Sequence, residues 1–294
     1  MADNTMINEI KPSKHITSFI APAKLNLFLH INARRSDGYH ELETLFIFLN
    51  YGDKLTFNVT KNTQVTLLSN TNEIPNDDNL VIKAAKALQK ATKCQLGADI
   101  YLEKNLPMGG GVGGGSSDAA TTLLVLNQLW QTNLSITQLC NIGIKLGADV
   151  PVFIKGEASI AQGVGEELKP INLKEKWYLV LHPNVHISTA KIFSHPDLPR
   201  NTPKLKTDWQ SFPVRNDCED LVKKYYPEVD KTLQWLLKYA PSKMTGTGAC
   251  CFSSFETKAQ AQHVLNALPD CWQGFIAKSA MVSPLHKQIS TKKM

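Results

Sequence analysis

An alternation of apolar and polar residues predicts a strand near the start of the chain. From Leu25 to Ile31 every second residue is aliphatic, so these side chains share one face of a strand over residues 19–31. Lys24 and Asn26 lie side by side on the opposite face. A lysine on so apolar a strand is costly unless it meets an anion, although a lysine that extends from a strand end into solvent is the alternative.

A hairpin is predicted next. Residues 34–40 carry Asp-Gly at the tip of a turn, and a strand-like segment follows over 41–49. Tyr39 and His40 beside this turn offer a stacking face and a hydrogen-bonding group to a ligand. Ordinary aromatic residues at a strand end explain the same spacing.

Strand-like and helix-like patterns are mixed through the rest of the chain. Strands are predicted over 98–103, 150–154, 177–182 and 274–281, and helices over 119–130, 136–146, 218–224, 227–239 and 258–268, with further helix starts at 76–79 and 188. This order lacks the strict alternation of a doubly wound sheet. Asp149 falls in the turn before the predicted strand 150–154, where an ordinary turn aspartate is the simplest explanation.

Residues 106–118, here called the glycine loop, hold six of the 17 glycines of the chain. Each glycine costs backbone entropy and buries no side chain, so this use favours close approach of the backbone to a ligand. Small polar residues at 116–118 then open a helix, whose N–H groups and dipole suit phosphate. A flexible linker is the alternative, but linkers rarely stand between a strand and a helix.

Composition and charge narrow the class of protein. The length of 294 residues favours about two domains, and the net charge of +6 fits an anionic substrate or a weak nucleic-acid binder equally well. Six scattered cysteines without a C-x-x-C pair are typical of reduced thiols in a cytosolic protein. No apolar run approaches the roughly 18 residues of a membrane span, and residues 1–18 are predicted to be a poorly ordered extension without a signal core.

Several kinds of phosphate site can be compared with the glycine loop. Gly109-x-Gly111-x-x-Gly114 matches the dinucleotide fingerprint, but no acidic residue between Asp118 and Asp149 is available to hold a ribose. No Gly-Lys-Ser/Thr follows the glycines, which excludes a P-loop. Neither His-Arg-Asp nor Asp-Phe-Gly occurs, which excludes the protein kinases.

Three motifs in combination resemble those of the GHMP small-molecule kinases. They are PAKLNL at 22–27, PMGGGVGGGSSD at 107–118 and TGTGA at 245–249, supported by stretches at 37–40, 146–153, 199–203 and 283–286. The resemblance runs from residue 20 to residue 286. Asp118 stands where some relatives carry asparagine, a difference that we expect to be tolerated.

The resemblance implies an α+β fold of two domains with the active site in the cleft between them. Residues 1–160 would form the ATP-binding domain and residues 161–294 a smaller, ferredoxin-like substrate domain, with 282–294 returning to the first. The triphosphate of ATP would be wrapped by Pro107, Met108, Gly109, Gly110, Gly111, Val112, Gly113, Gly114, Gly115, Ser116 and Ser117. Since a helix end supplies only about half a positive charge, Mg²⁺ and a cationic side chain are expected as well.

The resemblance also implies roles for individual side chains. Asp149 would orient and deprotonate the acceptor hydroxyl, and Lys24 beside it would make that hydroxyl more acidic and stabilise the transferred phosphoryl group. Because the transition state is loose, Asp149 is expected to act more by positioning than by strong base catalysis. The substrate would be bound by Asn26, Tyr39, His40, Phe193, Thr247 and Gly248, although a purely structural role for the last two is the alternative.

Within the family, the motifs are most similar to those of members that phosphorylate a polyol linked to cytidine diphosphate, in isoprenoid precursor synthesis. A homoserine, mevalonate or sugar kinase of the same family is the nearest alternative. A basic RNA-binding module, which would bind RNA in a strongly salt-dependent manner, and a nicotinamide dehydrogenase are more distant ones. We expect a cytoplasmic monomer or homodimer without nucleic-acid or membrane partners.

Overall fold

The computed structural model describes residues 17–71, 75, 78–163, 165, 167–205, 209 and 213–291. The predicted extension over residues 1–18 lies outside this part of the chain except for its last two residues. Those two residues already belong to the first strand. Within the described ranges, none of the helices has the length and apolar character that a membrane crossing requires.

The first half of the chain is built on the predicted hairpin, which is confirmed. Strand β1 (Thr17–Arg34) pairs antiparallel with strand β2 (His40–Thr60). The turn between them closes with Gly38 at a φ of 89°, a conformation that glycine adopts without strain. The sheet continues from β2 through β4 (Gly97–Glu103) to the parallel edge strand β3 (Val65–Ser69). Strand β5 (Ser159–Gln162) pairs with an earlier stretch of β2 at Thr44–Phe46, and β6 (Glu167–Pro170) pairs with β5.

Four helices cover this part of the sheet, with α1 and α2 packed on its strands and α3 and α4 packed on those two helices. They are α1 (Leu80–Thr92), α2 (Gly114–Leu129), α3 (Ile136–Gly143) and α4 (Val150–Lys155). The predicted polar start of α1 is present, since Asn79 Oδ1 accepts a hydrogen bond from Val81 N. The buried core between sheet and helices includes Phe19, Phe48, Leu88, Leu123 and Phe153.

The strand predicted over residues 150–154 was wrong, because this segment forms helix α4. Residues 150–154 are all buried, so neither a period of two nor a period of 3.6 is visible in the sequence. Pro151 in the first turn presets a helical φ, and Gly156 ends the helix at a φ of 70°. Asp149 therefore stands at the N-cap of a helix rather than before a strand.

The second half is a smaller antiparallel sheet with its own helices and its own buried core. Its strands are β7 (Trp177–His182), β8 (Ser242–Met244), β9 (Cys251–Phe255) and β10 (Gln273–Ala280). Its helices are α5 (Thr189–Ser194), α6 (Glu219–Tyr225), α7 (Pro227–Leu237) and α8 (Lys258–Asn266). The α+β fold is thereby confirmed.

Strand β10 connects the two halves. It pairs with β7 over most of its length and with β2 at its end, where Ser279 lies opposite Leu49. The strands consequently follow the order β3-β4-β2-β10-β7-β9-β8 in one sheet. Helix α9 (Pro284–Thr291) then returns to the first half, where Gln288 Oε1 accepts a hydrogen bond from Ile20 N at 2.9 Å. The domain boundary at residue 160 stays a prediction.

Candidate active site

A cleft of about 510 Å³ lies where β1, the glycine loop and the loop at residues 245–249 meet. Lys24, Asn26 and Leu29 of its lining come from β1, and Asp149 comes from the start of α4. The predicted site residues that border the cleft are Lys24, Asn26, Pro107, Met108, Gly109, Gly110, Gly111, Val112, Gly113, Gly114, Gly115, Ser116, Asp149, Phe193 and Thr247. Residues far apart in the sequence therefore meet at one opening.

Backbone hydrogen bonds hold the glycine loop on two sides. On one side Lys24 N donates to Val112 O at 2.9 Å, which fastens the loop to β1. On the other side Cys250 N donates to Gly110 O at 3.0 Å, and Thr245 Oγ1 donates to Gly111 O at 3.3 Å. The loop is thus fastened between the two halves of the chain.

Two positions in this loop require glycine. Gly111 has a φ of 74°, and a Cβ atom there would lie 2.3 Å from Thr245 O. Gly113 has a φ of 76°, and a Cβ atom there would lie 2.8 Å from Cζ of Phe153. Both the backbone conformation and the space exclude a side chain at these positions.

Helix α2 begins within the glycine loop, at Gly114. Gly113 is its N-cap and supplies no side-chain hydrogen bond, so the first N–H groups of the helix have no cap from that residue. Gly114, Gly115 and Ser116, which carry these groups, all border the cleft. An uncapped helix N-terminus at a cleft is suited to a phosphate group.

Lys24 and Asp149 form an ion pair at this cleft, with Lys24 Nζ 3.4 Å from Asp149 Oδ2. The same Nζ lies 2.5 Å from Asn26 Oδ1 and 5.3 Å from the centre of the Phe46 ring. The side chain of Lys24 is only 4% exposed, whereas that of Asp149 is 37% exposed. A fixed cation therefore lies at the floor of the cleft, beside a carboxylate that is open to it.

Asn26 is itself held in place by hydrogen bonds. Its Nδ2 donates to Thr44 Oγ1 at 2.9 Å, and its backbone N donates to Thr245 Oγ1 at 3.0 Å. Since the amide nitrogen faces Thr44, the amide oxygen is turned to Lys24. The direction of the lysine ammonium is consequently set by neighbours on β2 and on the loop at 245–249.

His40 packs beside Phe193, whose ring borders the cleft. Their ring centres are 5.2 Å apart, and Arg200 Nε donates to His40 Nε2 at 3.0 Å. Burial, followed by the nearby charges of Arg200 and Arg34, lowers the pKa of His40 below its ordinary value. Of the two rings, only that of Phe193 borders the cleft.

Four of the predicted residues do not border the cleft: Tyr39, His40, Ser117 and Gly248. Tyr39 is 64% exposed beside the hairpin turn, so its ring face is open to solvent. Ser117 is buried in the first turns of α2, and its Oγ has no hydrogen-bond partner among the described residues. Thr247, which does border the cleft, shares a hydrogen bond of 2.9 Å with Thr189.

Comparison with known proteins agrees with this arrangement. The family described as GHMP kinases N terminal domain matches residues 79–157, and that described as GHMP kinases C terminal matches residues 205–274. A 4-diphosphocytidyl-2-C-methyl-D-erythritol kinase of Pseudoalteromonas translucida (strain TAC 125) is 62% identical, over 94% of this chain and 98% of its own length. The chain belongs to the GHMP kinases.

Other members of the GHMP kinases give the same result. A 4-diphosphocytidyl-2-C-methyl-D-erythritol kinase of Shewanella halifaxensis (strain HAW-EB4) is 60% identical over 90% of this chain and 94% of its own. A crystal structure of 4-(cytidine 5'-diphospho)-2C-methyl-D-erythritol kinase superposes with a TM-score of 0.79 at 30% identity, over 90% of this chain and 99% of that one. The Methanococcus jannaschii mevalonate kinase, at 14% identity and a TM-score of 0.65, shares the fold.

A charged cluster beneath the glycine loop of this GHMP kinase was missed by the sequence analysis. Lys104 Nζ contacts Asp53 Oδ2 and lies 2.9 Å from Asp118 Oδ2, and these three side chains are nearly buried. Asp53 Oδ1 also accepts from the backbone N of Asn105 and Leu106 at 2.6 and 2.8 Å. The cluster ties the entry of the loop to the first turns of α2.

The cluster changes the ionisation of its members. Burial is the largest influence on Asp118 and raises its pKa to about 7, against the attraction of Lys104. Burial opposes the charge of Lys104 too, but the carboxylates of Asp118 and Asp53 raise its pKa above the ordinary value. An aspartate in an otherwise apolar helix, opposite a lysine at the end of the preceding strand, is the signal that could have identified the cluster.

In the ranges that the structure describes, no group of three or more His, Cys, Asp and Glu side chains is placed to hold a metal ion. A magnesium ion that arrives with a nucleotide needs only one or two protein ligands, because phosphate and water complete its coordination. The open carboxylate of Asp149 and the hydroxyl of Ser116, both at the cleft, are of the type that Mg²⁺ accepts.

Proposed function

We propose that the chain is an ATP-dependent kinase that phosphorylates the 2-hydroxyl of 4-diphosphocytidyl-2-C-methyl-D-erythritol, in the non-mevalonate route to isoprenoid precursors. The choice of substrate rests on the relative that is 62% identical over 98% of its own length, which is named as a kinase for this compound. The chemistry is supported by the Lys24–Asp149 pair, which lies at the same cleft as the glycine loop.

ATP binds with its triphosphate on the glycine loop, over residues 107–117. The fastened backbone and the uncapped start of α2 supply N–H donors without any reorganisation. The nucleoside extends toward Leu80 and Leu102, two apolar side chains that line the cleft. This direction leaves the γ-phosphate near Lys24.

Asp149 orients the acceptor hydroxyl and receives its proton as the new P–O bond forms. Its carboxylate is open to the cleft, and Lys24 beside it is positioned to stabilise the charge of the transferred phosphoryl group. Since the transition state of phosphoryl transfer is loose, most of the contribution of Asp149 comes from alignment of the hydroxyl. When bound, Mg²⁺ would supply charge neutralisation on the triphosphate, and Ser116 at the start of α2 is the side chain that would hold it.

The cytidine end of the substrate lies at the corner formed by Tyr39, His40 and Phe193. A base stacks on the exposed ring of Tyr39 and on Phe193, and His40 contacts its polar edge. Asn26 contacts the polar tail next to the reacting hydroxyl, and Thr247 and Gly248 close the cleft from the second half. The two domains, over residues 1–160 and 161–294, each contribute to this site.

The proposal also covers the location, the partners and the oligomeric state of the enzyme. Each of the six cysteines is a free thiol, which is consistent with a cytoplasmic location. The small substrate requires no nucleic-acid partner, and we propose a monomer or a homodimer.

Phosphorus NMR of the reaction product tests this function. After incubation with Mg-ATP and 4-diphosphocytidyl-2-C-methyl-D-erythritol, we expect one new phosphomonoester signal on the 2-oxygen, with the diphosphate signals retained. Parallel incubations contain mevalonate, homoserine or galactose in place of that substrate, and no phosphomonoester is expected there. A product from one of these three and none from the cytidine substrate would transfer the assignment to another kinase of the family.

A further inference from the structure

Arg200 joins several elements at the corner where His40 and Phe193 meet. Its Nε donates to His40 Nε2 at 3.0 Å, at the first residue of β2. Its terminal nitrogens donate to Phe193 O at 3.0 Å and His195 O at 2.7 Å, and to Leu198 O at 2.9 Å. One side chain therefore connects β2, the end of α5 and the loop that follows α5.

The contact between Arg200 and His40 determines which ring nitrogen carries the proton. A guanidinium has N–H donors only, accepts no hydrogen bond and stays charged in proteins. At 3.0 Å from the Nε of Arg200, the Nε2 of His40 must therefore be the acceptor. A neutral ring then carries its proton on Nδ1, and a doubly protonated ring would place an N–H against the N–H of a cation.

The surroundings of His40 favour the same state. The residue is only 8% exposed and packs on the ring of Phe193. The charged groups that act on its ring are Arg200 and Arg34, and both are positive. Burial and these two charges each oppose protonation, so the ring is neutral at pH 7.

We propose that Arg200 is a specificity-determining positioning residue, which holds His40 as an Nδ1–H donor at the pyrimidine end of the cleft. This inference rests on the proposed function for its substrate. A ring held in that state can pair with a base atom that accepts, such as N3 of cytosine, but not with the N3–H of uracil. A His40 ring that was free to switch between its two tautomers would pair with both bases. By fixing one tautomer, Arg200 gives the site its preference for cytosine.

The first test is the nitrogen-15 spectrum of the histidine rings in the full-length protein at pH 7, without substrate. The His40 signals are assigned as those lost in His40→Gln. We expect a protonated-type shift for Nδ1 and a pyridine-type shift for Nε2. The reverse pattern, an even mixture of tautomers, or a doubly protonated ring would overturn the proposal, whatever the substrate proves to be.

The second test compares Arg200→Met with Arg215→Met. Arg215 is the control because its substitution removes the same positive charge, but its guanidinium is bonded to Asp217 and not to His40. In Arg200→Met we expect a mixture of His40 tautomers and a roughly 10- to 100-fold smaller ratio of kcat/KM for the cytidine substrate over its uridine analogue. Arg215→Met should leave the tautomer and the ratio unchanged. An unchanged ratio in Arg200→Met would overturn the proposal.

Arg200→Lys covers the case in which Arg200→Met fails to fold. Lysine keeps the positive charge but cannot reach His40 and the four carbonyl groups of residues 193, 195, 196 and 198 together. The tautomer mixture and the loss of base preference should therefore reappear in a folded protein. Wild-type tautomer and base preference in Arg200→Lys would show that charge alone suffices and would contradict the proposed geometry. A fixed Nδ1–H tautomer in a protein that does not turn over the cytidine substrate would refute the proposed function and leave the control of His40 intact.

Discussion

Lys24 Nζ lies 3.4 Å from Asp149 Oδ2, although one side chain comes from a strand and the other from the start of a helix. The lysine is buried and the aspartate is open to the cleft, so the cation is fixed and the carboxylate is accessible. Asn26 and Phe46 hold the ammonium from the other side. The pair is thus arranged before any substrate arrives.

Replacing Asp149 with asparagine should abolish most turnover. The neutral amide loses the ion pair with Lys24 and the charged acceptor that aligns the hydroxyl, and it cannot take up the proton. We therefore expect kcat to fall about 100- to 10,000-fold. ATP affinity, measured by calorimetry, should change little because the glycine loop is untouched. Asp220→Asn, which changes an exposed carboxylate of α6 bonded to Lys223, is the control and should turn over normally. A near-normal kcat in Asp149→Asn would remove Asp149 from the mechanism.

Gly111→Ala should destabilise the protein. The new Cβ would meet Thr245 O in a backbone conformation that disfavours side chains, at a cost of about 1–3 kcal/mol in the free energy of unfolding. Gly115→Ala is a matched control in the same loop, since its Cβ would find its nearest neighbour at an ordinary 3.5 Å and the residue is helical. Urea denaturation of both variants checks this, and equal stabilities would show that the contact with Thr245 does not restrict the loop.

Tyr39→Ala should weaken binding of the cytidine substrate far more than binding of ATP. Loss of a stacked base costs about 1–3 kcal/mol, or roughly 5- to 150-fold in KM. Tyr101→Ala removes another exposed tyrosine, on β4, and should leave both KM values unchanged. If Tyr39→Ala raises the two KM values equally, Tyr39 has no specific role at the base.

Asp118→Asn should change the pH dependence of stability. Burial raises the pKa of Asp118 to about 7, so the folded protein holds this proton more tightly than the unfolded chain. Its contribution to the free energy of unfolding is therefore full below pH 4, and it is lost as the pH rises to about 7. Relative to Asp118→Asn, the wild type should lose stability between pH 4 and pH 7. A difference that stays constant over this range in urea denaturation would contradict the shift.

The sequence predicted most of the fold where patterns were periodic. The hairpin, the strand before the glycine loop and helix α2 were all visible in local spacing. Helix α4 was not, because residues 150–154 are all buried and therefore show no apolar–polar period along the sequence. Its Pro151 was the signal that favoured a helix over a strand.

Side-chain chemistry was less accessible from the sequence. The motifs led to Lys24 and Asp149, but Asp53, Lys104 and Arg200 act through contacts between residues that are far apart in the chain. Spacing along one strand or helix contains no information about such partners. They become visible only when strands β2 and β4 and helices α2 and α5 have been placed against one another.

Release of ADP tests the central claim most directly. The protein is mixed with Mg-ATP and 4-diphosphocytidyl-2-C-methyl-D-erythritol in a coupled assay, with mevalonate and homoserine in separate reactions. We predict rapid ADP release that depends on the cytidine substrate and is almost absent in Asp149→Asn. Release that is equal without the cytidine substrate, or that occurs only with mevalonate or homoserine, would contradict the proposed function.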